Sequence, residues 1–396
     1  MTQGKKKPFL LIFLIGYLAY SAIYVARLNF SVASALLEAG GILDKAQIGI
    51  IGSIFSFTYA VSKIPNGYIG DRFSSRKVIV IGLMIVSVSN LLIGWFPGFW
   101  SIAALWGVNA YGQSMLWGPM LRTFSECCEE KKAKKVSQFL VSSVAAGSII
   151  GLWLATYCAS YGSAAFCFLL PGCVTAVMAL VVKFFFADAA GAAKSRKGSI
   201  GQSFRNVWGE PEFRRIIFPA IAHGMIKDNI NVWLGVYFID TFQIDLERVA
   251  GYVFIIPVFA LLGRMLYPAV YRILKNDSMV SGFSFLCCAV AAAVLCTDGV
   301  SALVAMVCLG VLSAMVAMIN THMLSIFPTM FSAKGSLSFT ASVMDLLTYT
   351  GAGIGSLIFG MLIQYFGFKS MFLIWGAVSV ASFLLLELFR RCRQQR

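Results

Sequence analysis

Charged side chains are scarce in this sequence, at 12% of 396 residues, where a soluble domain carries roughly a quarter. That scarcity excludes a water-soluble globular protein, which could not cover its surface. Histidine occurs only twice. The ten cysteines stand mostly singly in apolar runs, and the adjacent pairs Cys127-Cys128 and Cys287-Cys288 lack metal-ligand spacing. They read as small apolar packing residues, and no metal is expected. There is no Gly-rich phosphate loop, no nucleophile beside a base and no soluble domain to hydrolyse nucleotide, which excludes an enzyme, a cofactor and an ATP-driven pump. A cleavable leader is absent too, because the first apolar run is too long for a signal-peptide core, so the N-terminus is expected to be retained.

What is abundant is hydrophobic side chain, 59% of the chain. A spanning helix needs about 20 mainly apolar residues. Twelve such segments run over 8–36, 46–69, 77–97, 99–123, 136–160, 163–187, 214–240, 248–272, 278–297, 300–327, 335–365 and 368–390, with turn signals such as "FPGFW" and "YFGFK" between them. The expectation is an all-α membrane protein in a lipid bilayer, with twelve transmembrane helices in two pseudo-symmetric six-helix bundles. The net charge of +15 does not imply nucleic acid, because the basic residues cluster at membrane edges instead of on one soluble face. Their concentration in alternate loops predicts a plasma (inner) membrane protein with both termini cytoplasmic.

The longest polar stretch, residues 188–213, lies at the midpoint and divides an N-terminal bundle (1–187) from a C-terminal one (214–396). The halves resemble each other at an offset of roughly 200 residues, which lays Arg27 over Lys227 and "GDRFSSRK" over "VYRILKND".

Four basic residues fall inside apolar segments: Arg27, Lys63, Lys227 and Arg264. Each costs about 2.5–3.5 kcal/mol at a helix centre on insertion scales. The central acids Asp228 and Asp345 are too few to pair with them all, so the surplus predicts a wet cavity that receives an anion. A structural ion pair is the competing account of Arg27 and Lys227, and snorkelling to the interface that of Lys63 and Arg264. Tyr20, Tyr24 and Arg27 share one helix face through spacings of four and three; Tyr59 and Lys63 are four apart, as are Gln113 and Trp117. Arginine can fork two phosphate oxygens, and lysine supplies a mobile point charge.

"GYIGDRFSSRK" resembles the loop signature of the major facilitator superfamily, carried here by Gly67, Asp71, Arg72, Arg76 and Lys77. The resemblance implies a cytoplasmic latch that gates the transport cycle. Within that superfamily, "YSAIYVARLNF", "YAVSKIPNGYIGDR", "NAYGQSMLWGPMLRT", "KDNINVWLGVYF", "THMLSIFP" and "SVMDLLTYTGAG" look like helices of the organophosphate:phosphate antiporters. That likeness adds His322 and Tyr349 to the candidate site and implies phosphate binding between two opposed cations, one from each half. The sequence departs from the pattern at Lys227, where the family has arginine, at the following Asp228, at Ser143, where the glycerol phosphate branch has histidine, and at Tyr271, which replaces the latch acid.

The expected function is secondary transport of a small phosphorylated or other organic anion, exchanged for inorganic phosphate by a monomer. Two alternatives stay open. One is a proton-coupled symporter of an organic monoanion such as a sugar acid, with Asp228, Asp345 and the two histidines as coupling groups. The other is a transporter-like sensor of sugar phosphate.

Overall fold

In lipid every backbone amide must find its partner within the chain, so runs this apolar are expected to coil into helices. The computed structural model describes residues 9–127, 130–161, 163–187, 205–245, 248–249, 252, 255–331 and 337–394, and among them every regular element is helical. The first half comprises α1 (Phe9–Ala39), α2 (Lys45–Arg72), α3 (Ser75–Trp95), α4 (Phe99–Ser114), α5 (Trp117–Cys127), α6 (Glu130–Ala159) and α7 (Ala164–Phe185). The second comprises α8 (Pro211–Phe242), α9 (Ile255–Leu274), α10 (Asp277–Cys296), α11 (Ala302–Asn320), α12 (Leu337–Phe366) and α13 (Phe368–Gln394). Ten helices among the described residues are long and apolar enough to cross a membrane. Neither α8, which carries Lys227, Asp228 and Asp240, nor the broken pair α4 and α5 is among them. The protein is a multi-pass, all-α integral membrane protein. Most of the proposed linker lies outside the described residues.

The chain forms two compact units, residues 1–42 with 61–195, and residues 43–60 with 196–396. This division departs from boundaries drawn at the midpoint, because the first part of α2 belongs with the second unit. Small residues are the reason. A Cβ on Gly49 would lie 2.4 Å from the Ser356 carbonyl oxygen, and one on Gly360 would lie 2.7 Å from that of Lys45. Such approach is how helices associate where no hydrophobic drive separates them from lipid. Lys45 Nζ also pairs with Asp240 Oδ2 at 2.6 Å, and Gln364 Oε1 accepts from the Ala46 amide at 2.9 Å.

In unit 1, α1 packs on α6 and α7, and α3 on α7 and α4. Asn29, buried in α1, donates to Asn90 Oδ1 and to the Cys167 carbonyl, both at 2.9 Å, which ties three helices in one register. The break between α4 and α5 follows from Pro119. A proline has no amide for the carbonyl four residues back and its ring clashes there, and that residue is Met115, where α4 has just ended.

In unit 2 the close pairs are α8 with α12, α10 with α13, and α9 with α11. Along α8 and α12, a Cβ on Gly224 would fall 1.8 Å from the Thr348 carbonyl oxygen, and one on Gly351 would fall 2.0 Å from that of Ile221. Asn229 Nδ2 donates across the same seam to the Ala352 carbonyl at 3.2 Å. Neither backbone can yield without moving a helix. Gly224→Ala is therefore expected to destabilise the protein by about 1–3 kcal/mol, read as a lower thermal midpoint in detergent, while Gly376→Ala, whose nearest neighbour would be 3.8 Å away, stays unchanged.

Candidate functional site

Helix α1 sets out Tyr20, Tyr24 and Arg27 on one face, as their spacing predicts. The Arg27 guanidinium lies 5.7 Å from the Tyr24 ring centroid, Tyr24 lies 5.7 Å from Tyr20, and Tyr20 lies 5.0 Å from Trp117. Trp117 opens α5 directly after the Pro119-induced break, so that break aims the indole at α1. Gln113 sits one turn earlier, buried, its Nε2 donating to Asn109 Oδ1 at 2.8 Å. Asn109 in turn donates to the Ala26 carbonyl at 3.3 Å, beside Arg27. Arg27 and Tyr24 are half-buried. A cation with aromatic faces and an amide-bearing wall is what an oxyanion requires. Asn109 was absent from the sequence reading, although it lies one turn before Gln113.

The second cluster is in unit 2. Lys227 Nζ stands 4.8 Å from the Tyr349 ring centroid, and that ring lies 4.4 Å from Tyr59. The Gly224 and Gly351 contacts place Tyr349 there, because they fix how α12 slides along α8. Lys227 also lies 3.6 Å from Asp228 Oδ2, with side-chain exposures of 23% and 17%. That separation compensates charge yet exceeds a hydrogen bond. The cation of this cluster has an acid beside it, the structural ion pair that the sequence offered as the competing account of Lys227. One turn earlier, His223 is fully buried and neither ring nitrogen is hydrogen-bonded to protein.

The remaining candidates are more dispersed. Tyr59 keeps company with Tyr349 in unit 2, while Lys63, four residues on, is half-buried in the part of α2 that belongs to unit 1. Asp345, one turn before Tyr349 on α12, is half-buried. His322 sits elsewhere in unit 2. It lies within a π-helical turn, Thr321–Ile326, that leads into a 3-10 turn holding Pro328, and its Nδ1 is 2.7 Å from Ser281 Oγ on α10. Ser143 is buried with its hydroxyl turned to the Leu140 carbonyl.

At the latch, Gly67 is exposed with open space around its α-carbon, and the side chains of Asp71 and Arg72 lie outside the described residues. Arg122 on α5 reaches back to donate to the carbonyls of Gly70 at 3.0 Å and Phe73 at 3.3 Å. A cation is favoured at a helix C-terminus, where orphan carbonyls gather. Arg76 and Lys77 occupy the first turn of α3, whose N-cap Ser74 accepts from the Lys77 amide at 3.2 Å.

Comparison with known proteins follows this geometry. The chain is 37% identical over 97 residues to the membrane sensor protein UhpC of Salmonella typhimurium, a match covering 24% of this chain and 22% of that protein. It is 38% identical over 108 residues to a probable hexose phosphate transport protein of Chlamydia pneumoniae, covering 27% and 23%. The matched stretches thus span less than a quarter of those relatives. Among solved structures, that of a D-xylose-proton symporter superposes with a TM-score of 0.79 at 13% identity, over 95% of this chain and 97% of the other, a likeness of fold alone. The family model of the Major Facilitator Superfamily matches residues 9–347. The chain belongs to that superfamily, a class of non-catalytic transport proteins.

Proposed function

We propose that the protein is a secondary transporter of a small organophosphate, exchanging it for inorganic phosphate by rocker-switch alternating access in the inner membrane, both termini cytoplasmic. The observation that carries this reading is Arg27: a half-buried guanidinium in the middle of a 31-residue apolar helix, framed by Tyr24, Tyr20 and Trp117. A guanidinium fork beside tyrosine and tryptophan rings suits two oxygens of a phosphate. The likeness to a probable hexose phosphate transport protein supports the substrate class. Lys227 and Tyr349 supply the second contact, and the anion stabilises the states that engage both. An empty carrier lacks that differential stabilisation and crosses slowly, which makes the process exchange.

Vesicles containing the purified protein and loaded with phosphate test this. Glycerol phosphate, hexose phosphates, phosphoglycerates and sugar acids are offered outside, and at least one phosphate ester is expected to enter only when phosphate is inside. Uptake of a sugar acid driven by a pH gradient, with no counter-substrate, overturns exchange in favour of proton symport. The Lys227–Asp228 pair is the observation that bears on that second reading, since it sets a carboxylate beside the cation. Binding without accumulation identifies a sensor.

A further inference from the structure

The face of α1 that carries Arg27, Tyr24 and Tyr20 continues toward the N-terminus of the helix. At 3.6 residues per turn, Tyr17 falls with those three inside an arc of about 80°. Its neighbour across the helix pair is set by α6. Glycine on α6 lets the two backbones close up: a Cβ on Gly147 would lie 2.4 Å from the Ser21 carbonyl oxygen, and one on Gly151 would lie 2.8 Å from the Val25 α-carbon. Ser21 Oγ also donates to the Ser143 carbonyl at 3.1 Å. One turn before Ser21, that register brings Tyr17 to Ser142, whose Oγ donates to the Tyr17 hydroxyl at 3.2 Å.

A tie between helices does not account for this pair. The bond is long for two hydroxyls, and the glycine contacts already hold α1 to α6. Both side chains are half-buried, whereas the adjacent Ser143 is fully buried with its hydroxyl on the Leu140 carbonyl. Because Ser142 donates, the Tyr17 phenol keeps its own hydrogen for a further acceptor. Phe13 packs on the phenol from the turn before, ring centroids 6.0 Å apart.

Tyr17 and Arg27 stand ten residues apart, about 15 Å of helix axis. A phosphate held by the guanidinium and a hydroxyl held at Tyr17 each take up a hydrogen bond of about 3 Å, which leaves roughly 9 Å for the ligand itself. A phosphorylated hexose covers that length and a phosphorylated glycerol falls short. Tyr24 and Tyr20 lie between, on the same face. We propose that Tyr17 and Ser142 are the far end of the anion site, a hydroxyl pair that binds a sugar hydroxyl while Arg27 holds the phosphate, and so selects a phosphate ester of hexose size. Both groups are neutral, which suits a hydroxyl and leaves a second anionic group unpaired. Selection by length in this way presupposes the phosphate contact at Arg27 proposed above.

Full-length protein in phosphate-loaded vesicles tests this with a ladder of esters offered outside: glycerol 3-phosphate, erythrose 4-phosphate, ribose 5-phosphate and glucose 6-phosphate. The concentration that gives half-maximal exchange is expected to fall about tenfold from the three-carbon to the six-carbon ester, the worth of one well-made hydrogen bond. Tyr17→Phe removes one oxygen and leaves the ring on Phe13; it brings those two esters to within about twofold of each other, and Ser142→Ala moves the ratio in the same direction. Were the pair only a helix tie, both variants would lower the thermal midpoint in detergent and leave the ratio untouched, which overturns the proposal. A parent that prefers glycerol 3-phosphate, or a Tyr17→Phe protein that keeps the six-carbon preference, overturns selection by length while phosphate exchange stands. No exchange of any ester by the parent overturns the phosphate contact at Arg27 and this selection with it.

Discussion

Arg27→Ala is expected to lower the initial rate of phosphate exchange by about 10²–10⁴-fold, since two charged hydrogen bonds worth about 1.5–3 kcal/mol each disappear together. Helical content and membrane insertion are expected to persist, because removing a charge from an apolar span relieves an insertion cost of about 2.5–3.5 kcal/mol. Arg27→Lys separates charge from shape. It keeps the cation near Tyr24 but loses the planar fork that matches two phosphate oxygens, so a partial loss of roughly tenfold is expected. Exchange in purified vesicles, with a protein-free control, supplies the measurement. If Arg27→Ala exchanges phosphate at the parent rate, Arg27 is a structural residue and the proposed substrate contact is wrong.

The overall fold was legible because membrane insertion writes itself into composition: long apolar runs must be helices, and their turns show as Gly, Pro and aromatic clusters. The Arg27 cluster was legible for a related reason. Tyr20, Tyr24 and Arg27 lie on one helix, so spacing alone fixes their common face, and the Tyr20–Trp117 contact completes it. What spacing could not reveal is which neighbour a helix serves at each depth. Tyr59 and Lys63 share a face, yet Gly49 and Gly360 draw the first part of α2 against α12, and Tyr59 stacks near Tyr349 in unit 2 while Lys63 belongs to unit 1. Glycine content signals close approach but not its partner. The Lys45–Asp240 pair was missed for the same reason, since nothing local relates positions so far apart in sequence. His322 entered through family likeness only, and the turn from α11 into π and 3-10 geometry, set by Pro328 removing the amide that Leu324 would use, carries it to Ser281.

The pair at Lys227 and Asp228 yields the second large effect, because the two proposed energy sources demand opposite things of it. Lys227→Ala is expected to reduce exchange by about 10–100-fold, the loss of one charged contact with the anion. It also takes the cation away from Asp228, so the loss combines the lysine removed with the change at the acid that stays behind. Lys227→Ala combined with Asp228→Asn resolves this. If the lysine binds substrate, the double variant regains stability in detergent and remains inactive; if the pair only balances charge, transport returns with stability. Asp228→Asn alone then reports on coupling. Under exchange it frees Lys227 from a charge 3.6 Å away, and phosphate is expected to bind on the order of tenfold more tightly, with pH-gradient-driven uptake absent in parent and variant alike. Under proton symport the parent accumulates its anion on a pH gradient and Asp228→Asn does not, because the group that takes the proton is gone. A parent that accumulates on a pH gradient therefore overturns exchange, and unchanged phosphate affinity in Asp228→Asn shows that the acid does not govern what Lys227 offers to an anion.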